Sequence, residues 1–246
     1  MDGKNTNRKL LLISSSNIYG HGYLDHVSEH ICALLRGIQR VAFLPYALHN
    51  REAYAAKARQ RFLKMGFTLE PVHSASEPRR CMEEAQAIFI GGGNTFRLLK
   101  ALYDYDLLEV IRRRVEDGVP FIGSSAGSIV ACPSLKTTKD MPVVQPPSFD
   151  ALHLVEFQIS PHYLDPDPAS THMGETQEER IRQYLEENDR PVVGLREPTW
   201  LAVEGGAIVL RGSTTARIFR RERDPVEISP GANVTMDLAV ANGSKR

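Results

Sequence analysis

A chain of 246 residues, 42% of them hydrophobic, is long enough to bury one sizeable core and short enough to form a single domain. Its 30 Lys and Arg balance 30 Asp and Glu, so no net field draws it to nucleic acid or an anionic membrane, and any charged ligand must be met by local groups. Three scattered cysteines, Cys32, Cys81 and Cys132, lack paired spacing and fit a reducing, cytoplasmic compartment, and the apolar LLLIS run near the amino end is too short for a membrane span.

In chain order, short apolar runs that end in small or turn-forming residues predict buried strands at 9–16, 40–48, 67–73, 87–93 and 119–125. Helical spacing predicts helices over 23–37, 51–66 and 96–118 between them. Such alternation implies an α/β fold, a mostly parallel sheet flanked by helices on both faces, with ligands at the carboxyl ends of the strands. Further on, 157–163, a helix at 175–188 and 191–197 can extend the same sheet. Residues 199–221, broken by Gly-Gly and Gly-Ser, predict a C-terminal antiparallel ribbon at a sheet edge, open to pairing in a homodimer. Residues 1–8 and 240–246 are expected to fray, and nothing between them suggests a second domain.

The segment Gly123-Ser124-Ser125-Ala126-Gly127 fits G-x-S-x-G between a strand-like VPFI and a helix-compatible AGSIVAC. In a nucleophile elbow the serine needs small neighbours because it sits in a tight strand-to-helix turn; an ordinary turn of small residues has the same pattern. Attack on a carbonyl by Ser125 would create an oxyanion, and a preset backbone N–H stabilises such a charge by about 3 to 4 kcal/mol. Ala126 is one candidate donor; Gly92 and Gly93, in the GGGN loop after the 87–93 run, are the others. Serine also needs a base, and among eight histidines His162 stands out because it follows the strand-like FQIS. His26 and His30 complete an H-x-x-E-H zinc pattern, but the apolar stripe of that helix puts them on the opposite, solvated side, and no metal is expected there.

Taken together, IGGGNTF, GSSAG, TTKDMPVV, SPHYLDPD, HMGET and GLRE resemble peptidase E, the aspartyl dipeptidase family, over nearly the whole chain and most of all its animal members. The resemblance implies a class I glutamine amidotransferase-like fold with serine in place of cysteine, Ser125 as nucleophile, His162 as base and Glu197 as third member, with Asp140 the rival acid. It further implies a small peptide substrate with amino-terminal aspartate, no cofactor, and a pocket lined by Asn94, Glu175, Gln177 and Arg180, with Glu175 opposite the free amine. The chain departs from the family pattern at Gln177, where arginine is expected, and at Ile129, Lys139 and Pro198. A neutral glutamine cannot grip a carboxylate as arginine does, although Arg180 could compensate. A related peptidase with another amino-terminal preference, or a catalytically silent binding protein of the same fold, are the alternative readings.

Overall fold

A computed structural model of the chain describes residues 7–171 and 173–239. Its elements are β1 (Lys9–Ile13), α1 (Ser28–Leu34), β2 (Arg40–Leu44), α2 (Arg51–Lys64), β3 (Thr68–Pro71), α3 (Pro78–Glu83), β4 (Ile88–Ile90), α4 (Thr95–Asp104), α5 (Leu108–Glu116), β5 (Phe121–Ser124) and α6 (Ala126–Val130). There follow β6 (Gln158–Pro161), α7 (Gln177–Glu187), β7 (Val192–Leu195), β8 (Thr199–Glu204), β9 (Ala207–Gly212), β10 (Ala216–Phe219) and β11 (Val226–Ile228).

The larger sheet runs β3-β2-β4-β5-β1-β8-β9, parallel through β1 and antiparallel at β8 and β9. Successive strand side chains point to opposite faces, and here both faces are covered. Leu10 and Leu12 join one core with α4, α5 and α6, while Leu11 and Ile13 join the other with Ile31, Ala55, Ala58 and Phe62 of α1 and α2. Double burial is why the strands read as unbroken apolar runs.

The arrangement of the strands and helices departs from expectation at several places. First, the segments at 157–163 and 191–197 do not extend the main sheet: β6 and β7 form a second, four-stranded sheet ordered β11-β10-β7-β6. Second, the helix expected over 96–118 is two helices. Asp106 takes φ 52°, and the Leu107 N–H bonds back to the Leu102 carbonyl at 2.9 Å, a left-handed helix ending in which Asp stands where Gly is usual. The apolar pattern persists through Leu102, Leu107 and Leu108, which hid the break. Third, residues 199–221 do not form one ribbon: β8 and β9 edge the main sheet, with Leu210 N–H bonding the Ala232 carbonyl at 3.1 Å and Val234 N–H the Ile208 carbonyl at 2.8 Å along β9, whereas β10 pairs with β7 and β11 in the second sheet.

The amino-terminal helix also begins later than expected, at Ser28, after a single 3-10 turn over Asp25–Val27. His26 is half-buried rather than solvated; its ring lies 6.0 Å from that of Trp200 on β8, and His30 lies 4.9 Å from the same ring. Burial first, then the nearby His21, holds the His26 pKa below the ordinary histidine value. Of the ends expected to fray, residues 1–6 and 240–246 lie outside the described residues, whereas Arg8 donates to the Leu154 carbonyl at 2.9 Å and pairs with Glu116 at 3.1 Å.

One close backbone approach fixes the geometry around β5. A Cβ added at Gly127, on α6, would lie 2.1 Å from the Ile90 carbonyl oxygen of β4, a backbone atom with no freedom to retreat. Gly127→Ala is therefore expected to lower unfolding free energy by about 3 kcal/mol or more, read by urea denaturation. A loss under about 1 kcal/mol would mean that α6 can lift from the sheet at small cost.

Candidate active site

Ser125 lies between β5 and α6 with φ 52° and ψ −110°, a left-handed conformation that L residues rarely adopt. It is held there from both sides: its N–H donates to the Ile13 carbonyl of β1 at 2.9 Å, and its own carbonyl accepts from Ser128 and Ile129 of α6 at 2.9 and 3.0 Å. The hydroxyl, freed from helix capping, stands 2.7 Å from His162 Nε2.

His162 follows β6, and Glu197 follows β7. These strands are parallel neighbours with Pro161 opposite Leu195, so the residues just past their carboxyl ends come together. Glu197 Oε1 is hydrogen-bonded to His162 Nδ1. His162 itself has φ 53°, and its turn is fastened by three groups. Its N–H donates to Ser14 Oγ at 2.9 Å, and that hydroxyl donates on to the Leu195 carbonyl at 2.8 Å, tying the end of β1 to the second sheet. Lys139 Nζ donates to the Pro161 carbonyl at 2.7 Å, the His162 carbonyl at 3.2 Å and Gln177 Oε1 at 3.0 Å. Gln177 Oε1 also accepts from the Leu164 N–H at 3.1 Å. Lost hydration around this ammonium pulls the Lys139 pKa down to about 8, against the opposing pull of Asp140.

The glycine loop after β4 comes against the serine. A Cβ added at Gly92 would sit 3.0 Å from Ser125 Cβ and 3.2 Å from the Ser124 carbonyl, so any side chain there would push the loop and the serine a few tenths of an ångström apart. Gly93, at φ 134°, packs on the Ala47 carbonyl. Ala126 opens α6, where first-turn N–H groups have no acceptor within the helix.

Beside Ser125 and His162 opens a cavity of about 740 Å³, also lined by Ser15, Ser16, Asn17, Tyr23, Tyr54, Lys57, Gly92, Gly93 and Asp140. This volume suits a small ligand. The lining differs from the expected one. Asn94 caps α4, accepting from Arg97 N–H at 3.0 Å, and donates to the Met141 carbonyl at 2.8 Å. Glu175 accepts from Gln183 at 2.7 Å and pairs with Arg180 at 3.6 Å; Gln177 is held by Lys139; none of the four residues expected there, Asn94, Glu175, Gln177 and Arg180, lines this cavity. The reason is local: Thr176 and Glu179 form a capping box that starts α7 at Gln177 and turns the segment onto its own helix, and His172 of the HMGET motif lies outside the described residues. Asp140, expected as the rival acid, accepts through Oδ2 from Thr95 N–H at 2.7 Å, Thr95 Oγ1 at 2.6 Å and Thr138 Oγ1 at 3.1 Å.

Sequence reasoning missed Ser14, Asn17, Tyr54 and Lys57. The first two lie in or just after the serine run that ends β1, which was itself a signal, since residues past a strand's carboxyl end face the ligand crevice. Tyr54 and Lys57 lie three apart on α2 and share one face, but a Tyr and a Lys at that spacing have no distinguishing mark in sequence.

The fold is similar to a crystal structure of a peptidase from an acI-B1 Actinobacterium, with a TM-score of 0.70 over 92% of this chain and 96% of that one at 17% identity. In sequence the chain is 50% identical over 231 residues to a Streptomyces coelicolor protein named Peptidase E, covering 94% of this chain and 95% of that protein. It is 45% identical over 234 residues to a Drosophila melanogaster protein named "Probable alpha-aspartyl dipeptidase", covering 94% and 98%. The model of Peptidase family S51 matches residues 10–211, and on that match, with relatives this similar over nearly their whole length, the chain is a serine peptidase and belongs to peptidase family S51.

Proposed function

We propose that the protein hydrolyses dipeptides with an amino-terminal aspartate through Ser125, His162 and Glu197, acting as one catalytic domain in the cytoplasm. The observation that carries this reading is the hydroxyl of a positive-φ serine 2.7 Å from His162 Nε2, with Glu197 on the other ring nitrogen. The aspartyl preference draws on the name of the Drosophila relative, and the single-domain reading on the fact that the serine comes from one sheet and the histidine and glutamate from the other.

Chemically, Ser125 Oγ attacks the peptide carbonyl as its proton passes to His162 Nε2. The oxyanion is met by N–H groups of the Gly92–Gly93 loop and Ala126, and the new imidazolium is balanced by Glu197. His162 then returns the proton to the departing amine, leaving an acyl-enzyme. Water attacks the ester with His162 again as base, and Ser125 recovers its proton as aspartate leaves. Asp140 is the carboxylate among the described residues lining the cavity, and it supplies the negative charge for the free amine.

Hydrolysis of Asp-Leu, Asn-Leu, Ala-Leu and acetyl-Asp-Leu, with and without chelator, tests the reading. The expected result is cleavage of Asp-Leu in preference to the other three, insensitive to chelator. Equal cleavage of Ala-Leu would remove the aspartyl preference, and no cleavage of any of the four would leave a silent member of the family.

A further inference from the structure

An acidic substrate brings a carboxylate into the cavity, and the positions expected to receive it do not reach there. Gln177 is neutral and engaged by Lys139, and Arg180 pairs with Glu175. Among the described residues lining the cavity, Lys57 is the only lysine or arginine.

Its setting fits a carboxylate anchor. Asn50 caps α2 by accepting from the Ala53 N–H at 3.0 Å, which fixes the first turn. On the face so set, the Tyr54 hydroxyl reaches the glycine loop, where a Cβ on Gly91 would lie 2.2 Å from it, and Lys57 follows one turn later. Lys57 is an exposed residue whose ammonium is directed by two contacts: it donates to Asn17 Oδ1 at 3.1 Å and sits 4.7 Å from the centre of the Tyr23 ring. Both of these partners are uncharged. The cavity that holds Ser125 thus presents a cation whose described contacts carry no negative charge, while the cavity's carboxylate, Asp140, is engaged by Thr95 and Thr138.

We propose that Lys57, oriented by Asn17 and Tyr23, binds a carboxylate of the substrate and thereby sets its charge specificity. This rests on the dipeptidase reading for the substrate but not for the binding chemistry. A dipeptide such as Asp-Leu carries two carboxylates, on the side chain and at the carboxyl end, and the ligands below separate them.

Binding is measured by calorimetry in the Ser125→Ala protein, with and without Lys57→Met, for Asp-Leu, Asn-Leu, Asp-Leu amide and Asn-Leu amide. Lys57→Met is expected to weaken Asp-Leu about 10- to 100-fold, with Lys57→Arg within a few-fold of Lys57. If the penalty vanishes for Asn-Leu, the anchored group is the side chain; if it vanishes for Asp-Leu amide, it is the terminal carboxylate. An equal penalty on Asn-Leu amide, which has neither group, or no penalty on any ligand, overturns the proposal. Should the methionine variant fail to fold, Lys57→Gln carries the same comparison. Turnover of Asp-Leu by the unaltered protein is followed in parallel: its absence removes the dipeptidase reading while the binding series still decides Lys57, and normal turnover with a flat binding series removes Lys57 alone.

Discussion

Ser125→Ala is expected to lower kcat/KM on Asp-Leu by about a million-fold while leaving the fold intact. Alanine keeps the small volume that the turn between β5 and α6 requires and loses only the hydroxyl that faces His162 Nε2. Serine and histidine act as one unit, so Ser125→Ala combined with His162→Ala should be scarcely slower than either alone. The oxyanion donors and the cavity remain, and a residual rate above that in water is expected from them. A fall of less than about a hundred-fold would mean that another group attacks the carbonyl. Melting temperature, followed alongside, separates lost chemistry from lost structure.

The second large effect is on the acid. Glu197→Gln is expected to reduce kcat about ten-thousand-fold with little change in KM, because glutamine can present its amide N–H to Nδ1 and hold the imidazole in the unproductive tautomer. Asp140→Asn should behave differently. Its carboxylate is committed to Thr95 and Thr138, so the change loosens the start of α4 and the 138–140 loop at about 1 to 3 kcal/mol of stability, and raises KM through the weakened charge opposite the amine. If instead Asp140→Asn abolished kcat and Glu197→Gln changed only stability, the two carboxylates would exchange roles.

The order of the strands through β5 was legible because each parallel strand is buried on both faces, and α1 and α2 because each carries one apolar stripe, patterns that depend on near neighbours in sequence; the short α3 between β3 and β4 was not predicted. The break at Asp106 escaped because it relies on a left-handed aspartate where sequence habit expects glycine. The second sheet escaped for another reason. Whether β6 and β7 continue the main sheet or start their own depends on which distant edges remain unpaired, and β8 occupies the edge beside β1.

The sequence by itself determined the alternating α/β plan, the small-residue elbow at Ser125, the glycine loop that approaches it, and, through family resemblance, the pairing of Ser125 with His162 and Glu197 as candidates. Only the tertiary structure decided that Glu175, Gln177 and Arg180, around the start of α7, stay out of the cavity lining, that Ser14 bridges the two sheets, and that Lys57 lines the same cavity as the serine from a helix more than sixty residues earlier. The physical reason is that elbows, caps and apolar periods are written in consecutive residues, whereas the direction of a charged side chain depends on what packs around its helix. A lysine on α2 has the same local pattern facing solvent or a cavity, and only the strands and loops brought against it settle which.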